Sequence, residues 1–143
     1  MEMRSYITRE QARHLSDAAY QKAGELGVDV TVAVCDPSGR PVFLERGDSC
    51  GFLTPETAMA KARAAAAFGK STKELVDLQG SNPAFWQALP GAMAEQVLPT
   101  TGAVPVVTRN MTIGAIGCAG GTPDQDHACA LAGAFAVRPT RER

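Results

Sequence analysis

"VDVTVAVCDPSGRPVFLER", residues 28–46, decides the fold. Valines at 28, 30, 32 and 34 recur with period two, so the segment is a strand that presents one valine face to a core. "DPSG" at 36–39 puts Asp first, Pro second and Gly fourth, the arrangement that suits a type I turn. "PVFLER" at 41–46 returns as the partner strand. The stretch is a β-hairpin, and the segments on either side of it read as helices.

Upstream, Thr8 and Gln11 form a T-x-x-Q capping box, and Ala12, Leu15, Ala19, Ala23 and Leu26 follow at helical spacing. Gly27 stands where a helix stop is expected. Downstream of a loop at 47–51, Thr54 and Pro55 open a second helix, over 55–68, with seven alanines between 58 and 67. Side chains this small let another surface come close: the sheet, a neighbouring subunit or a flat ligand. Ser71 and Glu74 make a second capping box for a short helix to about Gln79. "GSNP" then breaks the chain, and "AFWQAL" gives a further helical turn or two ending at Pro90 and Gly91.

"AVPVVT" at 103–108 and "TIGAIGCA" at 112–119 flank "RNM" as a second hairpin. Pro105 has no N–H to give a ladder, which places its strand at an edge or delays its start. Thr122, Pro123 and Gln125 open a final helix through about Val137. Helix, hairpin, helices, hairpin, helix is an α+β order, with one antiparallel sheet and helices packed on it.

The 143 residues form a single domain, 1–143, with a solvated basic tail, "RPTRER", from about 138. Formal net charge is −1, from 14 basic and 15 acidic residues, and no basic stripe points to a nucleic-acid partner. No stretch approaches the ~20 apolar residues of a membrane span. The N-terminal "MEMRSYITREQARHLSD" carries no signal-like apolar run, so a cytoplasmic location is expected. Cys35, Cys50, Cys118 and Cys129 include no C-x-x-C pair and are expected as reduced, partly buried thiols.

"GCAGGTPDQDHACA", residues 117–130, raises two chemistries: a phosphate cradle and a metal site. Against phosphate, Asp124 and Asp126 already complement the dipole of the final helix, and no P-loop lysine is present. Against a metal, His127 and Cys129 lie two apart on a helix and point about 200° away from each other. No metal is expected. Gly120 and Gly121 then serve close backbone approach to a ligand or subunit, with Thr122 at a helix start that offers N–H donors to a carboxylate.

"AVCDPSGRPVFLERGD", "AMAKARAA", "TGAVPV" and "IGAIGCAGGTPDQD" resemble, in order and spacing, the GlcG/HbpS family of small haem-binding proteins, related to the C-terminal domain of PduO-type corrinoid adenosyltransferases. The resemblance runs from about residue 8 to 137. It implies a profilin-like or PAS-like fold with a five-stranded antiparallel sheet, assembled into homo-oligomers, and a small-molecule ligand such as haem or a related flat cofactor. Two departures stand out. Thr101, Gly102, Ala103, Val104 and Pro105 replace the family's P-G-G-V-P, and Ala119 replaces a serine before the double glycine.

Haem calls for an axial donor, and His14 and His127 are the only histidines. Lys61, mid-helix among alanines and matched by the family pattern, is the candidate for a pocket lysine, with Asp126 or Glu56 as its partner. The ligand-binding candidates are therefore Gly102, Gly120, Gly121, Thr122, His127 and His14. The catalytic candidates are Lys61 and Asp126, with Cys118 or Cys35 as a conceivable nucleophile. Two functions follow: a non-catalytic binding module for haem or a similar flat cofactor, or a small catabolic isomerase or tautomerase acting on a carboxylated ring-cleavage product through Lys61 and a carboxylate.

Overall fold

Thr8 starts the first element as its capping box requires. In a computed structural model, which describes residues 6–137, the Thr8 hydroxyl accepts from the Gln11 N–H and the Gln11 side chain accepts from the Thr8 N–H. Helix α1 runs Arg9–Leu26 and stops at Gly27, whose φ of 68° is left-handed. The stop reaches further than the glycine, because the Val28 N–H bonds back to the Ala23 carbonyl. Asp29 then accepts from the Val30 and Ser49 N–H groups. Strand β1 consequently begins at Thr31, three residues later than the valine alternation suggests, and spans Thr31–Cys35.

Strand β2 (Pro41–Glu45) pairs with β1 through the expected turn. Helices α2 (Thr54–Phe68), α3 (Thr72–Gln79) and α4 (Pro83–Ala92) follow, then β3 (Ala103–Thr108), β4 (Met111–Ala119) and α5 (Pro123–Phe135). The strand order is β2-β1-β4-β3, antiparallel throughout, with β3 at an edge as Pro105 requires. The sheet has four strands, which corrects the five implied by the family resemblance. The chain between α2 and β3 folds instead as two short helices and an irregular run.

Both faces of β1 are buried. Val30, Val32 and Val34 join Ile116 and Cys118 of β4 against Leu15 and Ala19 of α1 and Cys129 and Ala130 of α5. The alternate residues Ala33, Cys35, Ala103, Ala115 and Ala119 face Ala58, Ala62 and Ala65 of α2. The alanines of α2 thus serve the first of the three surfaces considered for them, the sheet. Contact is close enough to reach the backbone: a Cβ at Gly117 would lie 2.2 Å from the Ala58 carbonyl oxygen. At the edge, Thr72 of α3 substitutes for a further strand, its hydroxyl accepting from the Ala103 N–H at 2.9 Å. The basic tail from 138 lies outside the described residues.

Candidate functional site

Lys61 belongs to α2 on one face of the sheet, yet its ammonium ends beside α5 on the other. Its Nζ donates to the Cys118 carbonyl at 3.1 Å and to Asp126 Oδ2 at 3.3 Å. Both residues are buried, with Lys61 7 % and Asp126 3 % exposed, so the pair sits away from bulk water. The route is opened by Gly102, opposite Cys118 at the start of β3. The Cys118 N–H donates to the Gly102 carbonyl. A Cβ on Gly102 would lie 2.8 Å from Lys61 Nζ, and its φ of +141° is one that L side chains rarely adopt. Only glycine lets the lysine pass there.

Asp126 is held from two sides. Its Oδ1 accepts from the Gly121 N–H at 2.9 Å while Oδ2 faces Lys61. Burial raises its carboxyl above the ordinary value, and the Lys61 charge and the Gly121 N–H offset part of that rise. Sequence reasoning paired Lys61 with Asp126 or Glu56, and the structure selects Asp126, leaving Glu56 exposed.

The helix start is internally satisfied. Thr122 N–H donates to Gln125 Oε1, and Gln125 N–H donates to Thr122 Oγ1. The Asp126 N–H bonds the Thr122 carbonyl, and Gly121 spends its own N–H on Asp126. The donors anticipated for a ligand carboxylate at Gly121 and Thr122 are therefore already engaged within the chain. Gly120 serves packing: a Cβ there would lie 2.9 Å from Cys50 Sγ and 3.1 Å from the Asp29 carbonyl.

The two histidines are not brought together. His14 is exposed on α1, next to Leu15, whose carbonyl packs on Gly133. His127 lies in the first turns of α5, six residues before Gly133 and so roughly 9 Å away along the helix axis. His127 has a buried Nδ1 with no hydrogen-bond partner. Burial and the charge of Lys73 lower its pKa, against smaller opposing effects of Asp124 and Glu74, and the imidazole is held neutral.

The thiols are buried. Burial pushes Cys35 up to about 12 and Cys129 up to about 11, and raises Cys118 well above its ordinary value. None of the three has the depressed pKa of a nucleophile. Among the described residues, no three His, Cys, Asp or Glu side chains converge as a metal site.

Two features lay beyond the sequence reading. A cavity of about 310 Å³ opens at the far end of β2, lined by Tyr20, Asp29, Glu45, Arg46, Gly47 and Asp48. In addition, Arg40 and Arg63 converge on Glu95, and Arg63 also donates to the Gly39 and Gln96 carbonyls. Neither carries a local sequence signal, because each joins residues far apart in the chain.

Residues 7–134 match the sequence model of a family described as haem degrading protein, HbpS-like. The chain is 28 % identical over 120 residues to an uncharacterized 15.0 kDa protein of the dhaT–dhaS intergenic region of Citrobacter freundii, covering 84 % of each. A double mutant of HbpS from Streptomyces reticuli is similar in structure, with TM-score 0.84 and 28 % identity over 97 % of this chain and 92 % of that one. A PduOC–haem complex is similar with TM-score 0.81 and 26 % identity over 92 % of this chain and 95 % of that one. Among the described residues, no helix is long and apolar enough to cross a membrane.

Proposed function

The chain belongs to the HbpS-like family, and from that premise we propose that it is a small binding protein for haem or a related flat cofactor. The observation that carries the reading is likeness over nearly the whole chain to a protein whose crystal structure is a haem complex. The donor chemistry of this chain fits. His127 offers an unpartnered ring nitrogen on an imidazole held neutral, the protonation state an iron ligand needs. His14 is the second donor, exposed on α1.

When bound, haem supplies an iron centre with redox and ligand-binding chemistry; the chain supplies what holds it. Lys61 is the positive group for a propionate or other carboxylate. Asp126, its present partner, limits the negative charge that the site tolerates. Gly102 leaves room for Lys61, while Gly120 packs on Cys50 and the Gly121 and Thr122 N–H groups are spent within the chain, so these three contribute shape and not donors to the ligand. In this reading the protein works in the cytoplasm as a homo-oligomer. The catabolic isomerase reading has no comparable support, since the thiols that would serve it as nucleophiles are buried with raised pKa values.

Titration of the purified protein with haemin tests the proposal. A saturable Soret band is expected, weakened at least tenfold in affinity in His127→Ala or in His14→Ala. A spectrum indistinguishable from free haemin at all ratios overturns it.

A further inference from the structure

Helix α3 is set down against the start of β3. The Ser71 hydroxyl accepts from the Glu74 N–H and fixes where the helix begins. Thr72, fully buried, accepts from the Ala103 N–H at 2.9 Å and donates to the Ala103 carbonyl at 3.4 Å. The next residue, Lys73, is thereby held beside the first turn of α5, where its Nζ lies 3.7 Å from Asp124 Oδ1. That separation makes an ion pair but exceeds a hydrogen bond. Both side chains stand in water, Lys73 54 % and Asp124 86 % exposed. Charges so exposed hold each other weakly.

His127 follows Asp124 at i+3 on α5, and residues so spaced are neighbours on one helix face. Lys73 therefore stands over the face that carries the imidazole, and its charge is the strongest that acts on that ring. The His127 Nδ1 is buried and has no hydrogen-bond partner. Of the two carboxylates that act on the ring, Glu74 turns back to its own helix start, where Oε1 accepts from the Ser71 hydroxyl at 3.2 Å. Asp124 is the one that opposes Lys73. Lys61 is placed differently: it is buried and already holds the Cys118 carbonyl and Asp126.

We propose that Lys73 is a surface cation for a carboxylate of a flat ligand seated on His127, and that this carboxylate takes the place of Asp124. One exposed anion is exchanged for another, so the chain gives up little. The Lys73 charge also disfavours protonation of the ring, so one lysine serves both the carboxylate and the open nitrogen. The inference rests on the reading of His127 as a ligand-binding residue and adds a specificity to it: acids bind in preference to their esters.

Fluorescence titration with protoporphyrin IX and with its dimethyl ester, beside haemin, tests this at pH 8, where an ordinary imidazole is neutral. Lys73→Gln is expected to weaken the diacid about two- to fivefold and to leave the diester unchanged. Asp124→Asn is expected to tighten the diacid by about the same factor. In the free protein, the His127 pKa followed by NMR is expected to rise in Lys73→Gln. Equal loss for acid and ester in Lys73→Gln, no loss for either, or an unmoved His127 pKa overturns the proposal. An unchanged or weaker diacid in Asp124→Asn overturns the exchange with Asp124. Haemin bound through His127 with no dependence on Lys73 overturns the proposal and leaves the haem reading standing. A diacid held through Lys73, with haemin gaining nothing from its iron, counts against the haem reading alone. Failure of all three ligands to bind the wild type overturns both.

Discussion

Lys61 and Asp126 meet at 3.3 Å across the end of the β3–β4 ladder, joining the helix on one face of the sheet to the helix on the other. Removing one charge from a buried pair leaves the other uncompensated, at a cost of about 3–5 kcal/mol. Lys61→Met is expected to lose stability of that order in urea unfolding at pH 7. The double variant Lys61→Met/Asp126→Leu is expected to lose much less, because two apolar groups replace both charges. Equal losses in the single and double variants would show that packing, rather than charge, dominates here.

The same pair has a pH signature. The folded-state pKa of Asp126 is raised, so the folded state holds its proton more tightly than the unfolded chain. Stability from this group is therefore greatest below the unfolded value and declines as pH rises through the raised folded one. In Lys61→Met the main opposing charge is gone and the carboxyl rises further. That variant is expected to regain stability on acidification, relative to wild type. Asp126→Asn in the same background removes the effect, which equilibrium unfolding across pH 4–7 measures.

Gly102 and Lys61 are coupled by contact. A Cβ at Gly102 meets both Lys61 Nζ and, at 2.9 Å, the Cys118 carbonyl, on a backbone with φ of +141°. Gly102→Ala is expected to cost about 1–3 kcal/mol. In a Lys61→Met background part of that clash disappears, so the two losses are expected to sum to more than the double variant shows. Strict additivity in denaturant midpoints would remove the lysine from this account.

Asp36 is structural. Its Oδ1 accepts from the Ser38 N–H, the Ser38 hydroxyl and the Arg40 N–H, closing the turn at the tip of the first hairpin. Asp36→Ala is expected to lower stability by about 1 kcal/mol and to leave haemin affinity unchanged. A weakened Soret titration in the folded variant would move Asp36 into the site.

Local chemistry made much of this fold readable. The caps at Thr8 and Thr122 stand where their T-x-x-Q patterns put them, and the four segments with strand character are the four strands. A fifth strand came with the family pattern and had no residues of its own to form it. What stayed out of reach was cross-chain. Alternation marked the valine face of β1, but only the assembled sheet shows that its other face is covered by α2 through Gly117. Lys61 and Asp126 were legible as partners, whereas the passage at Gly102 was not, since nothing local ties a glycine before β3 to a lysine on α2. The N–H groups at 121 and 122 looked free for a ligand because a helix start was read without the side chains that fold back onto it.

His127 carries a pH signature of its own. Its pKa is lowered by burial and by Lys73, so the folded state prefers the neutral imidazole while the unfolded chain takes up a proton near the ordinary value of 6.5. The unfolded state then binds more protons, and stability falls as pH drops from above 6.5 through the lowered folded value. His127→Gln, which cannot titrate, is expected to flatten that part of the stability profile between pH 7 and 5. Haemin ligation needs the same neutral ring, so in the wild type the Soret band is expected to fade over the acid side of this range. A stability profile equally steep in His127→Gln would assign the acid sensitivity to another group and remove the argument that burial keeps this imidazole ready for iron.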